Sequence, residues 1–172
     1  LKLVSGTHGT AGAVYATEIE TFSRIVANGV AGNGPASFTV TTKNGLIYEY
    51  GGTVDSRVYA GASTTIRAWA LSRVRDRAGA GTGNAITLAY FSIAYPTTAT
   101  GAGPFYRVDF AYSVRPASDV PTGYLAGNLV RDPYQLDRIA IQVIGAATPI
   151  KTYALGYETA PVSGRLRLAS VQ

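Results

Sequence analysis

Cysteine is absent from this 172-residue chain, and with it go disulfides, thiol nucleophiles and thiolate metal sites. Methionine is absent as well, even at position 1. A chain that opens Leu1-Lys2-Leu3-Val4 in mid-strand reads as a piece of a larger protein, so the lack of a signal peptide says little about the parent. The sole histidine, His8, leaves metal binding and histidine-based catalysis poorly supplied, and a lone polar ring among glycines is expected to bond a backbone group. No apolar run approaches the ~20 residues of a membrane helix, so no membrane span is expected. Only 15% of residues are charged, and so sparse a surface points to partial cover by other protein.

What the chain has in quantity is apolar side chains (47%), 20 glycines and 12 tyrosines. That is a globular, strand-leaning composition, and 172 residues suit a single β domain over 1–172 with a core of its own. The net charge of +5 raises the question of nucleic acid. Lys2, Lys43 and Lys151 are the only lysines, however, and the arginines fall singly along strands apart from Arg73, Arg75 and Arg77. Arg75-Asp76-Arg77 carries its own counter-ion, and arginine stems pack readily over sheet surface, so no nucleic acid partner is expected.

The stretch from Gly45 to Arg77 organises the reading. Asn44-Gly45 is expected to close a two-residue primed hairpin between Phe38–Thr42 and Leu46–Tyr50, placing Leu46, Tyr48 and Tyr50 on one face. Arg57–Ala60 makes a short strand, and Thr65–Arg75 the longest one. In the latter Ile66, Ala68, Ala70, Ser72 and Val74 oppose Arg67, Trp69, Leu71, Arg73 and Arg75.

Elsewhere, Leu1–Ser5 is a strand before a glycine-rich loop, and Val14–Ala27 reads as one extended strand with a helix over Thr17–Ala27 as the alternative. Asn28–Pro35 lacks dinucleotide spacing and is a turn. Ala78–Asn84 is a lengthened turn, Ile86–Ile93 a strand, and Thr97–Pro104 a loop. Tyr106–Val114 alternates as a half-buried antiparallel strand, Arg115–Pro133 is irregular around one strand at Gly123–Val130, and strands at Arg138–Ile144, Pro149–Tyr157 and Arg165–Val171 finish the chain. The expected fold is all-β: an antiparallel meander of about ten strands, a curved sheet or sandwich-like, with long Gly-rich loops.

The run from Lys43-Asn44-Gly45 through Tyr48-Glu49-Tyr50-Gly51, Asp55-Ser56-Arg57 and Arg67-Ala68-Trp69-Ala70 to Arg75-Asp76-Arg77 resembles the Salmonella virulence plasmid B-type (SpvB-like) domain. Leu1–Arg24 and Tyr153–Gln172 fit it too. Such domains open the B component of insecticidal toxin complexes and related Rhs/YD-repeat proteins, and Leu155-Gly156-Tyr157-Glu158 with Gly164-Arg165-Leu166 resembles one YD-type hairpin. The resemblance implies a non-catalytic structural module of a secreted bacterial toxin-type protein. Such a module shares in a β-sheet shell around a C-terminal payload, and its partners are the remainder of the parent chain and toxin-complex subunits.

No catalytic set stands out. The Salmonella relative joins this domain to an ADP-ribosyltransferase, but Glu18-Ile19-Glu20 and Ser63-Thr64-Thr65 occur in the reverse order to that site's elements. Asp55, Asp76 and Asp132 look like turn residues bonding local backbone, and Ser5 near His8 lacks a nucleophile elbow. Neither catalytic residues, nor a metal, nor a cofactor is expected. The alternative function is carbohydrate binding, with Trp69, Tyr48, Tyr50, Tyr59 and Tyr95 as a stacking platform and Arg67 and Arg73 beside it.

Overall fold

The computed structural model describes residues 1–61, 63–78, 84–91, 95–101, 106–125 and 127–172, without the side chains of 95 and 99–101. The chain forms two compact units, Leu1–Pro104 and Phe105–Gln172. The first contains β1 (Lys2–Ser5), β2 (Val14–Ala16), β3 (Arg24–Asn28), β4 (Ser37–Thr41), β5 (Ile47–Tyr50), β6 (Arg57–Tyr59), β7 (Ile66–Trp69), β8 (Leu71–Arg75), β9 (Ala85–Phe91) and β10 (Tyr95–Gly101). The second contains β11 (Tyr106–Val114), β12 (Thr122–Leu125), β13 (Asn128–Arg131), β14 (Tyr134–Val143), β15 (Lys151–Thr159) and β16 (Leu166–Val171). Among the described residues the only helical pieces are single 3-10 turns at Val54–Ser56 and Ala117–Asp119.

The fold is therefore all-β and antiparallel, with more and shorter strands than the alternation suggests. In the first unit the hydrogen-bonded order is β1-β2-β3-β4-β5-β8-β9-β10, with β6 and β7 paired as a separate ribbon. In the second it is β11-β14-β15-β16, with β12 and β13 as a ribbon.

Three expected strands break, each for a local reason. Val14–Ala27 is not one strand, nor a helix, but β2, a turn and β3, with Val14 opposite Val26 and Tyr15 opposite Ile25. Inside the turn the Thr17 and Thr21 hydroxyls bond each other, Thr21 donates to Ser23, and the Phe22 amide donates to the Glu20 carboxylate. Side chains that bond so locally compete with the strand ladder. Thr65–Arg75 breaks at Ala70, whose amide donates 2.8 Å to Ser56 O while its carbonyl accepts from Gly51 at 2.9 Å. The chain changes partners there, β7 pairing with β6 and β8 with β5. Gly123–Val130 is a hairpin, not a strand, reversing at Gly127 with φ +78°.

Two turn assignments also change. The Asn44-Gly45 hairpin exists, with Phe38 opposite Tyr50 and Val40 opposite Tyr48, but its loop has three residues. The Gly45 amide donates to Thr42 O at 2.9 Å, the Thr42 amide to Leu46 O at 3.0 Å, and only Gly45 takes a positive φ, +87°. That is a type I turn followed by a left-handed bulge residue, not a primed two-residue turn. The Thr97–Pro104 loop is strand β10 as far as Gly101, with Pro96 opposite Tyr90 beside a register shift, a place where sheets tolerate proline. Residues 79–83 of the expected Ala78–Asn84 turn, and 102–105, lie outside the described residues.

The core of the first unit is Ala13, Tyr15, Ile25 and Ala27, with Phe38 and Val40 packed on it. It follows from register. Tyr15, Ile25, Val40, Tyr48, Val74 and Ile86 stand opposite one another across β2, β3, β4, β5, β8 and β9, forming one apolar row on a single face. Each such side chain taken fully from water stabilises by about 1.5–3 kcal/mol.

Candidate functional site

Trp69 lies at the end of β7, where the break at Ala70 turns it onto β4. Its indole meets the Phe38 ring edge-to-face at 4.9 Å and 90°, and Nε1 donates 3.1 Å to Pro35 O. Gly51 is what admits the ring: a Cβ there would lie 2.3 Å from Trp69 Cδ1, and its φ is +68°. Tyr50, opposite Phe38, joins Trp69 around an apolar depression of about 280 Å³, completed by Leu1, Ile25, Phe38 and Val40.

Of the other five predicted binding residues, Tyr48, Tyr59, Arg67 and Arg73 are not part of this depression. Tyr48 is one row further along the same face, between Val40 and Val74. Tyr59 stands opposite Ile66 in the β6–β7 ribbon, and Arg67 lies on β7 of that ribbon. Arg73 neighbours Val74 in sequence and so takes the opposite face of the sheet, between Glu49 and Thr87; its Nε is buried with no hydrogen-bond partner. Tyr95 begins β10, and its side chain lies outside the described residues. The partners that residue-by-residue reading missed are Phe38 and Val40, which the hairpin register across Thr42–Leu46 places opposite Tyr50 and Tyr48.

The polar groups serve structure at each place they can be followed. His8 faces the Tyr15 ring edge-on at 5.8 Å, with Nδ1 3.4 Å from its hydroxyl, so its partner is a side chain and not the expected backbone group. Asp76 takes the amides of Ala78 and Asn84 at 2.9 Å each, and these bonds hold its carboxyl below the ordinary carboxylate range. Asp55 reaches further than a turn residue would, accepting the Tyr90 amide at 2.7 Å and so tying the first 3-10 turn to β9. Burial pushes its carboxyl up, but hydrogen bonds from Thr53 and Tyr90 outweigh that and the net shift is down. Asp132 pairs with Arg115 at 3.8 Å.

The second unit carries a polar latch. Asp119, 3% exposed, accepts Arg115 Nη1 at 2.9 Å on one oxygen and the Leu166 amide at 3.1 Å on the other. Arg115 Nε donates in turn to Tyr134 O at 2.9 Å. Among the described residues no three histidines or carboxylates converge as metal ligands, and no helix is long and apolar enough to cross a membrane.

The chain is similar in fold to the N-terminal domain of effector protein SpvB from Salmonella typhimurium strain LT2. The TM-score is 0.73 over 93% of this chain and 68% of that one. This is an SpvB-type fold. At 16% identity the likeness establishes the fold alone. No family model and no curated protein matches the chain.

Proposed function

We propose that this chain is a non-catalytic structural module of a large secreted bacterial toxin-type protein, and that it acts by being packed against other polypeptide. The observation that carries this reading is an imbalance in Phe105–Gln172. Among its described residues the only buried apolar side chain is Ala140, while eleven large apolar side chains between Tyr106 and Val171 are exposed. Val114, Tyr124, Ile150 and Val162 are each more than 60% exposed. Apolar exposure on this scale suits surface that other protein covers. The cover that suits long antiparallel edges is further β-hairpin polypeptide of the Rhs/YD-repeat kind, closing a shell around a C-terminal payload, with toxin-complex subunits beyond it.

The SpvB-type fold supports this reading, since its neighbour is a domain of a bacterial effector. The test is calorimetric titration of the chain with the separately expressed remainder of its parent. Association with a strongly negative heat-capacity change is expected, because burial of apolar surface produces that signature. Two folded partners that do not associate would contradict the proposal.

A carbohydrate-binding role at Trp69 is the second reading, favoured by the shared depression of Trp69 and Tyr50. Its lining is wholly of apolar and aromatic residues and the indole N–H is already bonded to Pro35, which suits packing better than a polyhydroxyl ligand. A saturable, Trp69-dependent change in fluorescence with polysaccharide would favour this role over packing.

A further inference from the structure

At the opposite end of β3 from the Asn28–Pro35 turn, the turn at 17–23 and the three-residue turn after β4 stand side by side. Between them lies a depression of about 530 Å³ lined by Thr21, Ser23, Thr42, Lys43 and Asn44, a volume in the range of small-ligand sites. Its rim holds Phe22, 68% exposed and at φ +56°. A bulky residue at positive φ is an outlier that surrounding structure must enforce, and here the Glu20 carboxylate does so by holding the Phe22 amide. The enforced conformation brings the ring under Lys43, whose Nζ lies 4.9 Å from the ring centroid. Phe22 thus orients the ammonium group beside the depression.

Hydrogen bonding within the two turns leaves Ser23, Lys43 and Asn44 as donors. The hydroxyl of Thr17 donates to Thr21 and that of Thr21 to Ser23 at 3.1 Å, which leaves the Ser23 proton unspent. The Asn44 carbonyl oxygen accepts the Leu46 amide at 3.2 Å and shares the single Thr42 hydroxyl proton, at 2.6 Å, with Leu46 O at 2.9 Å, while its two amide protons bond no protein group. Lys43 has three ammonium protons and, among the described residues, no carboxylate within ion-pair distance. A second cation stands beside the same turn, because the Arg77 guanidinium packs on Gly45, where a Cβ would lie 2.6 Å from its Nε. Water-facing donors beside a cation suit an anionic acceptor, with which they form charge-assisted hydrogen bonds. Glu20, fixed in the adjoining turn, opposes a ligand of high negative charge.

We propose that this depression binds a singly charged, hydroxyl-rich ligand, a sugar acid whose carboxylate pairs with Lys43 and whose hydroxyls meet Ser23, Thr42 and Asn44. The role is independent of the packing role proposed above, since no lining residue belongs to Phe105–Gln172. The experiment is titration of the 15N-labelled chain with sodium glucuronate, glucose and inorganic sulfate, followed by amide shifts.

Saturable shifts at Ser23, Lys43 and Asn44 with glucuronate are expected, with no saturation by glucose. Lys43→Gln should weaken the response about tenfold or more, as loss of a charge-assisted bond implies. Phe22→Gly should weaken it as well while leaving the melting temperature equal or higher, because glycine adopts this φ without strain. Absence of saturable shifts with glucuronate would overturn the site. Sulfate that matched glucuronate would overturn the sugar-acid assignment, and a response unchanged in Lys43→Gln would overturn the role of that cation.

Discussion

The two units are built of the same antiparallel strands but are held together differently. Leu1–Pro104 has an aromatic and aliphatic core in which Tyr15, Phe38 and Trp69 form a chain of edge-to-face contacts at 6.5 and 4.9 Å. Phe105–Gln172 has long ladders instead, nine residue pairs between β11 and β14, and among its described residues the one deeply buried ionisable group is Asp119. A sheet whose faces stay half open is stabilised by its hydrogen bonds and local cross-strand pairs, and each such contribution is small. The lesson is that strand content and core formation are separable. Among the described residues the first unit buries an apolar cluster of its own, and the second buries only Ala140 and leaves its larger apolar side chains partly or wholly exposed.

Substitutions should separate these two modes, and the largest effect belongs to the core. Trp69→Ala removes the ring from Phe38 and leaves Pro35 O without its donor, and should cost about 2–4 kcal/mol measured by denaturant unfolding. The loss should fall on the first unit, and a melting temperature unchanged by the substitution would count against the packing role of Trp69.

Next comes the latch of the second unit. Asp119→Ala leaves Arg115 without its buried partner and the Leu166 amide without an acceptor. About 2–3 kcal/mol is expected, seen as earlier melting of Phe105–Gln172 by residue-resolved NMR. An effect confined to the first unit would overturn the latch.

Acid should act on the first unit through Asp55 and Asp76, both held below their ordinary pKa. A carboxyl lowered in the fold contributes stability that is fully present above its unfolded pKa and is lost as pH falls through the folded value. Asp55 is exposed and Asp76 lies near the surface, so the change is modest and confined to pH below about 4. Asp55→Asn should flatten that part of the pH–stability curve; a curve identical to the parent's would contradict the assignment.

The smallest effect is expected at Arg167–Glu158, a 2.6 Å pair with both side chains more than half exposed. Glu158→Ala should change stability by less than about 0.5 kcal/mol.

How much of this was legible beforehand depends on what each residue's neighbours do. The alternation of Tyr106–Val114 carried through to β11 because its partner β14 runs alongside for its full length. The alternation of Thr65–Arg75 did not, because Ala70 is captured by Ser56 and Gly51, a tertiary event that no local pattern encodes. The turn at 17–23 hid inside an apparently regular strand for a related reason, since hydroxyls that suit a strand surface also suit one another. Of the predicted binding residues, Tyr50 and Trp69 converge because hairpin register and the chain break cooperate. Arg73 faces away because pleat parity, readable from Val74, puts it there. Phe38 and Val40 were also readable, from the spacing across Asn44-Gly45.

The most direct test of the central contrast is hydrogen exchange of the chain alone and within its parent protein. The account predicts that β2–β5 of the first unit exchange slowly in both. It also predicts that the amides of β11–β16 exchange faster in the isolated chain and gain protection in the parent, as unfinished faces become covered. Equal protection of the second unit in both states would show that Phe105–Gln172 needs no cover, and would contradict the account.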